Sequence, residues 1–170
     1  MERSNSLPHS TMYNMATNLA SPGRISQSLI GSTPYERVMG HAPHVLEPWS
    51  KLEEVFFSRS VLPADLLEQV RRTLALGHGC EYCMAKGGPP EPKHEAMRTS
   101  LAVGLAQLFA ADHREIDEVQ LNIIREHFSE PELVELVAFM GFMWAGGTFV
   151  KVFGIQPIQA SEAAAPGTAT

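Results

Sequence analysis

Cys80 and Cys83 are the only cysteines in the 170-residue chain, and they stand in one tetrapeptide, Cys-Glu-Tyr-Cys. Closing so short a loop adds little to fold stability, which argues against a structural staple. Three-residue spacing at the start of a helix puts both sulfurs on one face of its first turn. The N–H groups there favour a thiolate, and the second thiol can resolve a mixed disulfide or sulfenic acid formed on the first. Dithiol redox chemistry is therefore the leading reading. Two other readings stay open on these residues alone. His78, Cys80, Cys83 and His94 offer four donors that tetrahedral zinc would accept, and two cysteines can also be small core residues. Met84 follows Cys83, so the His needed for covalent haem attachment is absent.

The elements that must hold this pair read as helices. Val45, Leu46, Trp49, Leu52, Val55 and Phe56 recur at helical spacing, with Pro48 expected early in that segment. A second helix opens at Pro63, carries Leu66, Leu67, Val70 and Leu74 on one face, and stops at Gly77-His78-Gly79. A short helix follows from about Cys80 and must end by Gly87-Gly88-Pro89-Pro90. Two further helices are expected over Lys93–Ala111, with Met97, Leu101, Leu105 and Leu108 on one side, and over Glu115–His127, with Ile116, Val119, Ile123 and Ile124 facing inward. Ser129 and Glu132 form a capping box for a last helix through Phe153, apolar enough on every side to predict burial all round. Gly141, Gly146 and Gly147 weaken that helix, so each predicts a helix or loop backbone packed closely against it. No segment alternates with period two for the length of a strand. The expectation is an all-α bundle of six or seven helices over residues 34–157, with an N-terminal arm of 1–33 and a flexible tail of 158–170.

The stretch from Pro63 to Lys86 resembles the core motif of the AhpD-like (carboxymuconolactone decarboxylase) family, in which a Glu lies twelve residues before the first Cys of Cys-x-x-Cys. Glu68 fills that place. The similarity extends to Tyr35-Glu36-Arg37-Val38-Met39-Gly40-His41 upstream and to Arg125-Glu126-His127-Phe128-Ser129 with Glu132–Phe139 downstream. The resemblance implies an AhpD-like helical bundle assembled as a homo-oligomer, commonly a trimer or hexamer. It also implies Cys83 as the thiol that attacks peroxide, Cys80 as the resolving thiol and Glu68 as part of a proton relay. One position departs from the pattern. The family places a His four residues after the second Cys, and here that residue is Gly87. His78 and His94 are the candidates to stand in, and Tyr82 lies between the cysteines. Peroxide reduction is expected to be weaker than in members that keep the histidine.

Glu68 also has a plainer reading, a helix-surface pair with Arg72 four residues on. It points away from the Leu66/Val70/Leu74 stripe, so a role beside the thiols needs further protein over that face, from a second subunit or the arm. The expected function is a thiol-dependent oxidoreductase, reducing peroxides or exchanging disulfides with a separate thiol electron donor. The runner-up is a decarboxylase-like enzyme acting on a small organic acid, and the third reading is a zinc-bound or structural oligomer. The thiols carry the electrons under the first reading, so neither an organic cofactor nor a resident metal is expected. A net charge of −6 and the absence of any Lys/Arg-rich run argue against nucleic acid as a partner. Leu136–Val150 is too short an uncharged run to span a bilayer, and Met1–Gly31 holds no continuous apolar segment, so a soluble, cytoplasmic protein is expected.

Overall fold

Seven α-helices and one 3₁₀ turn account for the regular structure of residues 23–157, the part of the chain that the computed structural model describes; no strand occurs among these residues. α1 (Pro34–Met39) begins with a reciprocal cap: the Thr33 hydroxyl accepts from the Glu36 N–H, and the Glu36 carboxylate accepts from the Thr33 N–H. α2 (Pro43–Ser58) starts at Pro43, so Pro48 sits in the second turn, deeper than expected. The carbonyl that Pro48 leaves without a helical partner is that of exposed His44, near the start of the helix. α3 (Ala64–His78) runs through Gly77 and His78 and stops at Gly79, whose φ of 61° is the left-handed turn that only glycine adopts freely. α4 (Glu81–Ala85) is the short helix of the cysteine pair.

The next two helices are shorter than their apolar patterns predict. α5 spans Met97–Asp112, starting four residues after the expected Lys93, with Ala96 in extended backbone as its N-cap. A 3₁₀ turn, His113–Glu115, then closes on the Asp112 carboxylate. α6 is confined to Glu118–Arg125 by a capping box between Asp117 and Gln120, a start signal that the apolar periodicity hides. α7 (Glu130–Phe153) begins at the expected Ser129–Glu132 box and ends at Gly154, φ 64°.

The main core lies where α3, α5 and α7 pack together. Leu67, Val70, Ala102, Ala106, Leu136, Phe139 and Met140 are completely buried, and Phe56 of α2 meets Phe139 edge to face at 5.4 Å. Burial of α7 is one-sided rather than complete. Val134 and Val152 are more than half exposed, and on the neighbouring elements so are Met97 and Val119, with Ile123 close to half, although all three had been expected inside. By length and composition α7 could cross a membrane, with 24 residues and a mean hydropathy of 1.6 in its most apolar stretch; in this fold it packs against α3, α5 and α6.

The segment before α1 lies on its own chain. The Arg24 N–H donates to the Phe153 carbonyl at 2.8 Å, its guanidinium to the Val152 carbonyl at 2.8 Å, and the Ser28 N–H to the Arg37 carbonyl at 2.9 Å. The rest of the arm, 1–22, and the tail, 158–170, lie outside the described residues.

Candidate functional site

Cys80 is the N-cap of α4 and Cys83 its third residue, and their sulfurs form a disulfide with the Cα atoms 5.2 Å apart. The Cys80 sulfur also accepts from the Cys83 N–H at 3.2 Å. The two differ in access. Cys80 is 1% exposed, sealed by Val38, Tyr82, Val150 and Ile155, whereas Cys83 is half-buried and lines a cavity of about 220 Å³. An apolar cavity of about 150 Å³ is enough for benzene, so this one has the size for a single substituted ring or a comparably small molecule.

The cavity walls combine rings with a few polar groups. Trp49, Phe57, Phe142 and Met143 form one side; Tyr35, Glu53, Arg71, His78, Tyr82 and Lys86 supply polar atoms. The Tyr35 hydroxyl is buried without a hydrogen-bond partner. Burial, reinforced by the Glu53 carboxylate and by Tyr82, pushes its pKa well above the ordinary phenol range, so it stays protonated. Tyr82 stacks on Tyr35 with ring centroids 6.4 Å apart, and the Lys86 ammonium lies 5.6 Å from the Tyr82 ring centre.

Behind Cys83, one turn of α3 carries an ionic cluster. Arg71 forms two bonds to the Glu68 carboxylate, Nε to Oε2 at 2.7 Å and Nη2 to Oε1 at 2.8 Å, and Arg72 Nε adds a third at 2.8 Å. Arg71 Nη1 donates to the Cys83 carbonyl at 3.1 Å. The Arg71 hydrogen bonds, then that of Arg72, hold the Glu68 carboxyl down at about 2, so it is a permanent anion near neutral pH.

His78 sits at the far end of the same helix. Its Nε2 is 3.1 Å from the Thr148 hydroxyl, and that hydroxyl donates to the Trp144 carbonyl. Thr148 can therefore only accept from the ring, which places the His78 proton on Nε2. The imidazole packs on Trp144 with centroids 4.4 Å apart and against the backbone of Gly147, where a Cβ would come within 2.9 Å of the ring. The neighbours are side chains rather than the expected backbone: a Cβ at Gly146 would be in ordinary contact with Tyr35 and Trp49, and one at Gly141 would meet nothing within 4 Å.

No protein-family model matches the chain, and no curated protein matches it. Solved structures do. An uncharacterised peroxidase-related protein from Silicibacter sp. TM1040 aligns with a TM-score of 0.62 at 14% identity, over 93% of this chain and 89% of that one. An alkylhydroperoxidase AhpD-core, peroxidase-related protein from Ralstonia eutropha JMP134 aligns with 0.59 at 13% identity, over 73% and 76%. The debrominase Bmp8, solved as a cysteine-to-alanine variant in complex with 2,3,4-tribromopyrrole, aligns with 0.63 at 13% identity, over 92% and 87%. The chain has the AhpD-like fold.

Within the AhpD-like fold, the structure brings together some of the expected site residues and separates others. Cys83, Tyr82 and His78 share the cavity, Cys80 lies directly behind Cys83, and Glu68 reaches Cys83 through Arg71. Glu68 also makes the surface-type pair with Arg72, and 31% of its side chain stays exposed. His94 is half-buried in the loop before α5 and does not line the cavity. The set His78, Cys80, Cys83 and His94 does not assemble as a zinc site: among the described residues no three His, Cys, Asp or Glu side chains converge to hold a metal. Sequence reasoning passed over Arg71, Glu53, Trp49 and Lys86. Arg71 had a signal in its place three residues after Glu68, the alternative helix pairing to Arg72.

Proposed function

We propose that this protein is a thiol-dependent reductase of small-molecule oxidants, with Cys83 as the attacking thiol and Cys80 as the resolving thiol. The observation that carries this reading is the unequal access of the two sulfurs, one opening on a ring-sized cavity and the other sealed behind it. A nucleophile must meet substrate, and a resolving thiol must meet only its neighbour. The AhpD-like fold, shared with proteins described as peroxidase-related, supports the same class of chemistry. Bmp8 was captured with a single substituted ring, and the aromatic walls here suit a ligand of that shape.

In the cycle, the Cys83 thiolate attacks one oxygen of a peroxide, the O–O bond breaks and the other half leaves as an alcohol or water once protonated, and the Cys80 thiol then condenses with the Cys83 sulfenic acid to give the disulfide and water. A dithiol donor then reduces that disulfide, a requirement that a reducing, cytoplasmic setting meets. Self-association is part of the proposal, supported by the apolar side chains left outside on α5, α6 and α7.

The test is single-turnover oxidation of the fully reduced protein, followed by thiol counting. Cys83→Ser should abolish it, whereas Cys80→Ser should react once and leave a sulfenic acid that dimedone traps. Undiminished oxidation of the Cys83→Ser variant would discard the proposal.

A further inference from the structure

Tyr35 stands second in α1, where Pro34 at the first position and the Thr33–Glu36 box fix the start of the helix. Its ring is held from two sides, stacked on Tyr82 of α4 at 6.4 Å and edge-on to Phe149 of α7 at 5.2 Å. Val38, one turn further along α1, belongs to the seal over Cys80. Tyr35 and Cys83 both pack on that sealing cluster and both line the cavity, so a molecule that fills its 220 Å³ touches the two residues together.

The Tyr35 hydroxyl is buried, and no group of the chain accepts its proton. A buried polar group left in this way lowers stability, and a phenylalanine of the same shape would not carry that cost. Over Gly146 the hydroxyl oxygen meets the edge of the half-buried Trp49 ring: a Cβ at position 146 would lie 3.7 Å from the one and 3.8 Å from the other. Gly146 and Trp49 line the same cavity.

Resting on the reductase reading above, we propose that Tyr35 is a catalytic residue, whose hydroxyl meets a bound peroxide that wedges the Trp49 ring aside and protonates the oxygen that leaves as Cys83 is oxidised. Burial and the neighbouring Glu53 carboxylate keep the phenol in its protonated form before substrate arrives. An alkoxide is a stronger base than this phenolate, so the transfer still runs downhill. His78 directs its Nε2 proton to Thr148, and Arg71 is held by Glu68 and the Cys83 carbonyl and keeps its charge. Lys86 is the rival donor, an exposed ammonium 5.6 Å from the Tyr82 ring centre.

Atoms and electrons balance. The Cys83 thiolate attacks the terminal oxygen of a hydroperoxide, an S–O bond forms and the O–O bond breaks. Sulfur loses two electrons and the peroxide gains them. The departing alkoxide takes the Tyr35 proton and leaves as an alcohol, and water returns a proton to the phenolate. The Cys80 thiol then condenses with the Cys83 sulfenic acid and releases water.

The experiment uses the full chain, reduced and free of reductant, with cumene hydroperoxide and peroxybenzoic acid as single-turnover oxidants. A peroxy acid expels a carboxylate, which needs no proton as it leaves. Tyr35→Phe should therefore slow cumene hydroperoxide by about 10²-fold or more and peroxybenzoic acid by less than about 10-fold. Alkylation of Cys83 by iodoacetamide, which also needs no acid, should be unchanged. The urea midpoint of Tyr35→Phe should equal or exceed that of the parent, because the variant loses an unpartnered buried hydroxyl.

Equal slowing of the two oxidants, or an undiminished rate with cumene hydroperoxide, overturns the proposal. A lowered midpoint, or a variant that fails to fold, assigns the hydroxyl a structural role and overturns it as well. Hydroperoxide-selective loss in Lys86→Met with none in Tyr35→Phe gives the role to Lys86 instead. If neither oxidant reacts through Cys83 in the parent protein, the reductase reading itself has failed.

Discussion

Two apolar clusters divide the molecule, and they are built on different rules. The larger, where α3, α5 and α7 meet, is an aliphatic and aromatic core with the fully buried Leu67, Phe139 and Met140, and its margin at Leu74 and Phe142 forms part of the cavity wall. The smaller joins α1, α4 and the end of α7 around Cys80, with Val38, Tyr82, Val150 and Ile155, and it opens on the cavity. Each borders one buried polar atom without a partner, Arg98 Nε over Phe128 in the first and the Tyr35 hydroxyl in the second, and only the second adds a reactive-type cysteine pair and the nearly buried Arg71 guanidinium. Dense packing without voids provides stability, and unfilled space with unmatched polarity provides a place for a ligand. α3 serves both, its apolar stripe in the large core and its Glu68–Arg71–Arg72 turn beside the small one.

The contrast can be broken most strongly at Phe139. Phe139→Ala should cost about 3–5 kcal/mol in denaturant unfolding, yet leave the rate of Cys83 alkylation in the folded protein unchanged. A matching loss of thiol reactivity would show that the two clusters act as one. Glu68→Gln should do the reverse. Removing the carboxylate leaves Arg71 nearly buried with fewer partners, a loss of about 1–3 kcal/mol, and it should slow oxidation through Cys83 as well.

Acid provides a subtler separation. The Glu68 carboxyl is lowered from 4.5 to about 2, so its stabilising contribution is complete above about pH 4.5 and is lost as the pH falls toward 2. Glu132 is lowered to about 2 as well, by the Ser129 N–H and by Arg98, and it titrates in the same window. Urea midpoints measured from pH 6 to pH 2 should therefore fall less steeply in Glu68→Gln, and less still when Glu132→Gln is added. The smallest effect concerns two glycines of α7. Gly141→Ala, with open space around it, should stabilise by about 0.5–1 kcal/mol. Gly147→Ala should lose that gain because the added methyl must displace His78, a difference that thermal unfolding of the pair would resolve.

Much of the large core was legible in the sequence because it follows from periodicity. Leu66, Leu67, Val70 and Leu74 announce α3, and the Ser129–Glu132 box announces α7 to the residue. Where a local device outweighed the apolar pattern, the reading slipped. The Asp117–Gln120 box shortened α6, and extended backbone at Ala96 delayed α5. One-sided burial of α7 was also hidden, since an all-apolar helix does not say which of its faces is covered. At the site, the cysteine spacing and the resemblance placed Cys80, Cys83 and Glu68, but neither could reveal Arg71. Its bond to the Cys83 carbonyl is made across the turn between two helices, twelve residues on, and no spacing rule encodes such a contact.

The bond from Arg24 to Phe153 ties together two points that are far apart along the chain, and Ile155 completes the seal over Cys80. A ribosome adds about 5–20 residues per second, so roughly 4–14 s separate the appearance of Cys83 from that of Ile155. During that interval both thiols are formed but uncovered, open to any oxidant or partner thiol in the surroundings. The two cysteines therefore leave the ribosome before the last of the residues that bury Cys80.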